Sequence, residues 1–182
     1  MAAICLTVPI EMAKAHPKPA AKPENRCDDA ERAPGTASLH SLRHSVLCLV
    51  NRIRGQRGLE LLSENAELNI SAVRHSEDMV ENGYFSHYGP GGSTPLARVA
   101  QTGYTAGVGE AVVGENLGWG VGARYGSPLA VFRAWMHSPS HRANILSPRY
   151  RDAGVGVSRG SPFARFGLAG TYTLDLGTRA EP

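Results

Sequence analysis

The sequence predicts an α+β fold, with helices early in the chain and strands mainly at its end. Apolar residues recur every three or four positions in several segments before residue 140, which is typical of helices with one buried face. Beyond residue 148, apolar residues alternate with small and polar ones, which is typical of strands. Because no helical segment separates these closing strands, we expect them to pair antiparallel. This order indicates helices layered on a sheet.

The first predicted helix follows a segment rich in proline and alanine and ends near Gly55 or Gly58. Its buried face has five apolar residues at helical spacing: Leu42, Val46, Leu49, Val50 and Ile53. The second predicted helix begins after Ser63, whose side chain suits an N-cap, and runs through Val80. Gly83 then closes it, because glycine adopts the left-handed backbone that commonly ends a helix.

Two further helices share a starting pattern, a serine or threonine followed by proline. The third begins after Ser93 or Thr94 and ends before Gly103. The fourth begins after Ser127 and stops before Pro139, because the residue ahead of a proline disfavours helical backbone.

Four short strands are predicted. One covers residues 117–119, in the middle of the chain. The other three form a closing meander over residues 153–157, 163–169 and 172–176, joined by turns of glycine, serine and proline.

The composition predicts one domain and excludes several classes of function. A chain of 182 residues with a formal charge of +3 is large enough for one core and only mildly basic. The basic residues are scattered, so no nucleic-acid partner is indicated; we interpret Arg52, Arg54 and Arg57 as a solvated helix face. The sequence contains no Walker loop, no HExxH zinc motif and no nucleophile elbow, so those enzyme classes have no support.

We divide the chain into three parts. Residues 1–15 are interpreted as a truncated or weak export signal, 16–38 as a flexible arm rich in proline and alanine, and 39–180 as the single globular domain. The apolar part of the signal is too short to span a bilayer, so we expect a secreted protein without a transmembrane segment.

Export would place the cysteines in an oxidising compartment. If Cys5 leaves with the signal, Cys27 and Cys48 remain as an even pair, and a disulfide between them would tie the arm to the first helix. The alternative is that Cys48 is a buried free thiol on the apolar helix face.

Three short segments each place one imidazole or carboxylate among aromatic residues and glycines. They contain His87, Glu115 and His141. Brought together by folding, two imidazoles and a carboxylate would supply ligands for a divalent metal, or a base, an acid and an orienting group. Taken singly, each has an alternative: an ordinary loop histidine, a surface charge and a turn-capping residue. Trp119 and Trp135 are expected in the core.

Taken in order, these segments resemble a bacterial member of the CAP superfamily, which comprises cysteine-rich secretory proteins, antigen 5 and pathogenesis-related proteins. The resemblance runs from about residue 42 to about residue 178. Its strongest parts are Gly114-Glu115-Asn116-Leu117 and His141-Arg142-Ala143-Asn144-Ile145-Leu146. The resemblance implies a three-layer α/β/α sandwich with a mainly antiparallel central sheet.

The resemblance also implies that His87, Glu115 and His141 share a central cleft that binds a divalent cation. Zinc suits such a ligand set best, although calcium and magnesium are not excluded. No other cofactor is expected. We interpret His75 as a buried, hydrogen-bonded histidine and not as a fourth ligand.

One position departs from the family. Where many relatives have a second glutamate, this chain has Ser138, which weakens any mechanism that needs two carboxylates. Ser138 could act as a nucleophile with His141 as its base, but a turn-capping role is favoured because Pro139 follows.

Two functions follow from the resemblance. The favoured one is a monomeric extracellular module that binds a lipid, an envelope component or a protein partner. The alternative is a metal-dependent hydrolase, such as a peptidase, in which His87, Glu115 and His141 are catalytic and Glu115 serves as the base if it is not a ligand.

Overall fold

The computed structural model describes residues 27–163 and 168–180. The helices in these ranges are α1 (Leu39–Gln56), α2 (Ala66–Asn82), α3 (Pro95–Gln101), α4 (Gly122–Gly126), α5 (Pro128–His137) and α6 (Pro139–Ile145). The strands are β1 (Ser63–Glu64), β2 (Glu110–Val121), β3 (Asp152–Arg159) and β4 (Ala169–Ala180).

The four strands form one sheet in the order β1-β3-β4-β2. The pairs β3–β4 and β4–β2 are antiparallel, and only the short β1 runs parallel to its neighbour β3. The predicted mainly antiparallel sheet is confirmed. Because β2 is the last strand of this order, one of its sides is free for other parts of the chain to approach.

The face of the sheet towards α1 is apolar. Alternate residues of β4, namely Tyr172, Leu174 and Leu176, are fully buried there. They belong to one core cluster with residues of α1, α5 and α6, including Leu42, Val46, Val50, Val131, Trp135 and Ile145. This cluster is the main hydrophobic core of the described part of the chain.

The opposite face is covered by α2 and α3 and is made of small and polar residues. A Cβ atom added to Gly154 or Gly156 of β3 would overlap the backbone of α2, so these glycines let the helix lie directly on the sheet. The Ser76 hydroxyl of α2 donates to the Thr173 hydroxyl of β4 at 2.9 Å. With helices on both faces, the predicted α/β/α sandwich is confirmed.

Most predicted helix ends are confirmed. The side chains of Thr94 and Ser127 accept hydrogen bonds from the third residue after each, and Gly83 has a left-handed φ of 68°. The predicted N-cap at Ser63 is wrong. Ser63 lies in β1 and its amide donates to the Arg151 carbonyl, so the helix starts later, capped by the Asn65 side chain.

Two of the strand predictions need correction, and two short helices were missed. The strand predicted at residues 117–119 is the centre of the longer β2. Phe163 and Leu168 lie outside any strand, β4 begins at Ala169, and residues 164–167 lie outside the described ranges. The turn expected around His141 is the helix α6, with Pro139 in its first turn, and α4 was not predicted.

Arg54 is not part of a solvated helix face. Its side chain is buried, and its guanidinium donates to the carbonyls of Glu60, Ile145, Ser147 and Tyr150 at 2.8–3.4 Å. An arginine can satisfy several carbonyls at once because it carries five N–H donors. Arg54 thus holds the loops after α1 and α6 against the core.

Cys27 and Cys48 are bonded, with their sulfur atoms 2.03 Å apart, so the predicted disulfide is confirmed. The segment 27–38 packs on the domain: Ala30 and Ala33 are buried, and the Leu129 amide donates to the Ala30 carbonyl at 2.8 Å.

The export signal and residues 16–26 of the predicted arm lie outside the described residues, and the domain boundaries stay a prediction. In the part described, no helix is both long and apolar enough to cross a membrane.

Candidate functional site

Glu115 is the centre of a buried polar cluster. It lies in the middle of β2, and its side chain is only 1% exposed. One carboxylate oxygen, Oε1, is 2.7 Å from His87 Nδ1, and the other, Oε2, accepts from Arg98 Nη2 at 2.6 Å. The arginine and the histidine thus compensate the desolvation of the carboxylate.

Two helices and a loop bring these partners to Glu115. Arg98 projects from α3, and its Nη1 also donates to the carbonyls of His87 and Ser93, both at 3.0 Å. The guanidinium therefore bridges the carboxylate and the backbone of the loop that carries His87. Since that loop directly follows α2, the position of His87 depends on both helices.

His75 of α2 is a third neighbour of Glu115 in this cluster. Its side chain is buried, and its Nε2 lies 3.9 Å from Glu115 Oε2 and donates to the Ser86 carbonyl at 3.0 Å. Burial lowers the pKa of His75, while the nearby Glu115 raises it to a smaller extent. The geometry agrees with the interpretation of His75 as a buried, hydrogen-bonded histidine.

Asp175 of β4 lies directly opposite Glu115 in the strand register. It is fully buried, and neither of its carboxyl oxygens has a hydrogen-bond partner among the residues described. Burial, followed by the negative charge of Glu115, raises the pKa of Asp175 well above its usual range. A second carboxyl group, whose raised pKa favours its neutral form, therefore lies next to the cluster.

His141 projects from α6, on the other side of β2. Its carbonyl accepts from Asn116 Nδ2 at 3.0 Å, and Asn144 Nδ2 donates to Asn116 Oδ1 at 2.9 Å, so two amides dock α6 on β2. Burial and then the charge of His87 lower the pKa of the His141 imidazole. Of the two predicted histidines, only His87 is hydrogen-bonded to Glu115.

An aromatic cleft of about 260 Å³ lies beside this cluster, at the free edge of β2. Its walls come from the loop after α2, from β2, and from α4, α5 and α6: Phe85, Leu117, Gly118, Trp119, Tyr125, Val131, Ala134, Trp135, Ser138 and His141. Trp119 is 37% exposed and Tyr125 is 62% exposed. The exposed Phe163 ring packs against Trp119, with ring centroids 5.5 Å apart.

The expectation that both tryptophans are core residues is correct for Trp135 only. Trp135 is buried, and its indole N–H donates to the Leu117 carbonyl at 2.7 Å. Trp119 lies two residues after Leu117 in β2 and faces the cleft. The difference arises because β2 is an edge strand, so its last residues are covered on one side only.

Two of the three predicted metal ligands, Glu115 and His87, are bonded to each other, and Glu115 is also bonded to Arg98. Within residues 27–163 and 168–180, no three His, Cys, Asp or Glu side chains lie where they could hold one ion. Glu115 would have to release Arg98 or His87 to become a ligand. A divalent cation therefore fits the three residues poorly in this arrangement, and the predicted metal site stays a prediction.

Ser138 occupies the junction between α5 and α6. Its carbonyl accepts from the Arg142 amide at 2.9 Å, and its hydroxyl lies 3.3 Å from that of Ser140. Ser138 is the N-cap residue of α6, but its side chain makes no capping hydrogen bond, so the favoured capping role is not observed. Neither of the two contacts links the hydroxyl to His141 as an activating base.

Sequence reasoning missed three residues of the site. Arg98 carries no motif signal, since a charged residue on a short amphipathic helix is ordinarily solvated. Asp175 had one usable signal, because it alternates with Leu174 and Leu176 in a strand that is buried on both faces. Tyr125 lies in the short α4, which has no periodicity to detect.

Comparison with known proteins identifies the family. The family model described as the cysteine-rich secretory protein family, CAP, matches residues 47–172, which is more than half of the chain. The chain therefore belongs to this family, and the resemblance is confirmed.

Two curated proteins of Bacillus subtilis (strain 168) are similar to the chain. Protein YkwD is 32% identical over 160 residues, which cover 79% of this chain and 59% of YkwD. Membrane protein YlbC is 33% identical over 114 residues, which cover 63% of this chain and 31% of YlbC. The chain thus spans less than two-thirds of either relative.

Solved structures share the fold. An extracellular protein with an SCP domain from Bacillus anthracis str. Ames has a TM-score of 0.60 and 25% identity, covering 77% of this chain and 43% of that protein. An outer surface protein of Borrelia burgdorferi has a TM-score of 0.59 and 19% identity, covering 74% of this chain and 90% of that protein. The second likeness, at its lower identity, shows the fold alone.

Proposed function

We propose that this family member is a secreted, non-catalytic binding module whose aromatic cleft takes a lipid-like, amphipathic ligand. The observation that carries the proposal is that exposed aromatic rings and a polar cluster lie close to each other along β2. Trp119 and Tyr125 line the cleft. Glu115, which lies a few residues before Trp119 in β2, is bonded to His87 and Arg98.

The apolar part of such a ligand would lie against the aromatic wall. Trp119 and Tyr125 expose large rings to water in this structure. Covering them would contribute roughly 25 cal/mol for each Å² of apolar surface removed from water. A concave site lined by apolar groups with a few polar ones is the usual form of a small-molecule site.

The polar end of the ligand would lie at His141 and His87. His141 lines the cleft, and its lowered pKa favours the neutral imidazole, which can donate one hydrogen bond and accept another. His87 is held by Glu115 through Nδ1, which leaves Nε2 as the atom that a ligand would use. A hydroxyl or carboxyl group on the ligand suits both imidazoles.

The contacts of Glu115 favour binding over catalysis. A general base must reach the proton that it removes. Glu115 is almost wholly buried, and both of its oxygens are bonded within the protein. The hydrolase alternative would need this carboxylate to leave Arg98, so we rank it second.

Secretion is supported by the disulfide and by a relative. A bond between Cys27 and Cys48 is typical of proteins outside the reducing cytosol. The structural relative from Bacillus anthracis is described as an extracellular protein.

The test is a titration with cis-parinaric acid, a fluorescent fatty acid, on the purified protein. We expect the Tyr125→Ala variant to bind at least about tenfold more weakly, which corresponds to about 1.4 kcal/mol. Tyr88→Ala is the matched control, because Tyr88 is 63% exposed against 62% for Tyr125 and does not line the cleft. Equal affinity in both variants would contradict the proposal.

A parallel screen with peptide and ester substrates addresses the alternative. Turnover by the wild-type protein that is lost in a His87→Ala, His141→Ala double variant would favour the hydrolase. Metal content measured on the same two proteins would test the predicted cation.

A further inference from the structure

Two histidines on the exposed side of α1 form a pair that the cleft does not involve. His40 and His44 are one helical turn apart, and both are exposed. Their Nε2 atoms lie 3.1 Å apart, and their ring centroids are separated by 4.3 Å. Residues four positions apart lie on the same side of a helix, so the regular backbone of α1 holds this arrangement.

The facing nitrogens have the separation that a shared metal ion requires. An imidazole nitrogen binds such an ion at about 2.0–2.1 Å, so two of them lie about 2.9 Å apart at a right angle and about 3.3 Å apart at a tetrahedral angle. The observed 3.1 Å falls between these values. At present one Nε2 must donate a proton to the other, and an ion would replace that proton.

We propose that His40 and His44 form a surface chelate for a divalent transition-metal ion, with copper(II) bound more tightly than nickel(II) or zinc(II). Imidazole suits these ions, and copper(II) has the highest affinity of the three for a given nitrogen site. Calcium and magnesium do not suit this pair because they prefer oxygen donors.

The surroundings of the pair favour a cation with open coordination positions. His40 and His44 line a cavity of about 380 Å³ together with Asp28 and the disulfide. Because the described residues contain no group of three or more candidate ligands, water would fill the remaining positions. The Asp29 carboxylate, which accepts from the Ser41 hydroxyl in the first turn of α1, offsets the positive end of the helix dipole, which alone would oppose cation binding there.

Binding at this pair is linked to the fold of the first turns of α1. The Ser41 hydroxyl donates to the Asp29 carboxylate and the Ser45 hydroxyl to the Asp28 carbonyl, so the segment after Cys27 is fastened at the same place. The two nitrogens face each other only when α1 is helical. An ion held by both therefore stabilises the folded chain over the unfolded one.

The test is isothermal titration of the untagged full chain with Ni²⁺, with Cu²⁺ electron paramagnetic resonance on the same samples. We expect His40→Ala and His44→Ala each to weaken binding by at least about tenfold, because each leaves one ligand of a chelate. Both sites are exposed and helical, so alanine should leave the fold intact. The Tm of the wild-type protein should rise with Ni²⁺, and that rise should be absent in both variants.

Two controls make the result decisive. His137→Ala removes another exposed histidine, one whose Nδ1 is bonded to the Arg133 carbonyl, and should bind Ni²⁺ as the wild type does. A His87→Ala, His141→Ala variant should retain the site. Unchanged affinity in His40→Ala and His44→Ala would overturn the proposal, as would a loss confined to the His87→Ala, His141→Ala variant. Both outcomes concern Ni²⁺ affinity and say nothing about fatty-acid binding in the cleft, so the proposed function is tested separately.

Discussion

The two faces of the central sheet contribute different things to this protein. Towards α1, Leu174 and its neighbours in β4 form a continuous apolar core. Towards α2, the Thr173 hydroxyl accepts from Ser76, and the buried Asp175 lies opposite Glu115 of the adjacent strand. Consecutive residues of one strand thus serve stability on one side and the candidate site on the other.

The largest effect is expected on the apolar face. Leu174→Ala should lower the free energy of unfolding by about 3–5 kcal/mol, because Leu174 is fully buried and its removal leaves a cavity. Urea unfolding measures this directly. The control Leu61→Ala, at a residue 54% exposed, should change stability by less than about 0.5 kcal/mol. Similar losses in both variants would remove the distinction between core and surface.

Arg54 is an exception to the comparison, since it is a buried cation on the apolar side. Arg54→Ala should cost about 2–4 kcal/mol, because several carbonyls lose their donor inside the protein. Arg52→Ala, two residues earlier on the same helix and exposed, is the matched control and should be almost neutral. If thermal unfolding shows equal losses, the buried network is not what stabilises the loops.

The close contact of α2 with the sheet can be tested through a glycine. Gly156→Ala should destabilise the protein by about 1–3 kcal/mol, because the new methyl group overlaps the backbone of Ala72. In α1, a methyl group at Gly55 meets only Leu61 at 3.6 Å, so Gly55→Ala should instead stabilise the helix by about 0.5–1 kcal/mol. Opposite signs in denaturant unfolding are the expected result, and a neutral Gly156→Ala would mean that α2 lies further from the sheet.

The smallest effect is a pH dependence on the polar face. Since the pKa of Asp175 is raised in the folded protein, the folded form keeps a proton that the unfolded chain releases near pH 4. The stability that this group contributes is complete below that pH and is lost as the pH rises through the folded-state pKa. Relative to Asp175→Asn, the wild type should therefore lose stability as the pH rises above about 4.

Urea unfolding across this pH range measures the difference. Glu81→Gln, at an exposed carboxylate, is the control and should keep the pH dependence of the wild type. A constant difference between the wild type and Asp175→Asn at all pH values would show that Asp175 ionises normally.

The sequence predicted the parts of the fold that local signals specify. Apolar spacing and the Ser-Pro or Thr-Pro starts located the main helices, because these signals act within one or two turns. The role of Ser63 was missed because it is set by pairing with Asp152, far along the chain. The short α4 and the full length of β2 likewise depend on distant partners.

In the candidate site too, the sequence predicted some contacts and missed those that depend on distant partners. The contact between His87 and Glu115 agrees with the resemblance to the family. The ion pair of Glu115 with Arg98 was not predictable, because nothing near either residue specifies which charge it will meet. Trp119 was misplaced in the core because exposure at the end of an edge strand depends on the order of strands in the sheet.

The most direct test of the binding cleft is the tryptophan emission of the protein as decanoate is added. Trp119 is partly exposed in the cleft, whereas Trp135 is already buried. We predict a saturable shift of emission to shorter wavelength in the wild type and no shift in Trp119→Phe, which retains Trp135. An unchanged wild-type spectrum at saturating decanoate, or an equal shift in the variant, would contradict a ligand site at this edge of the sheet.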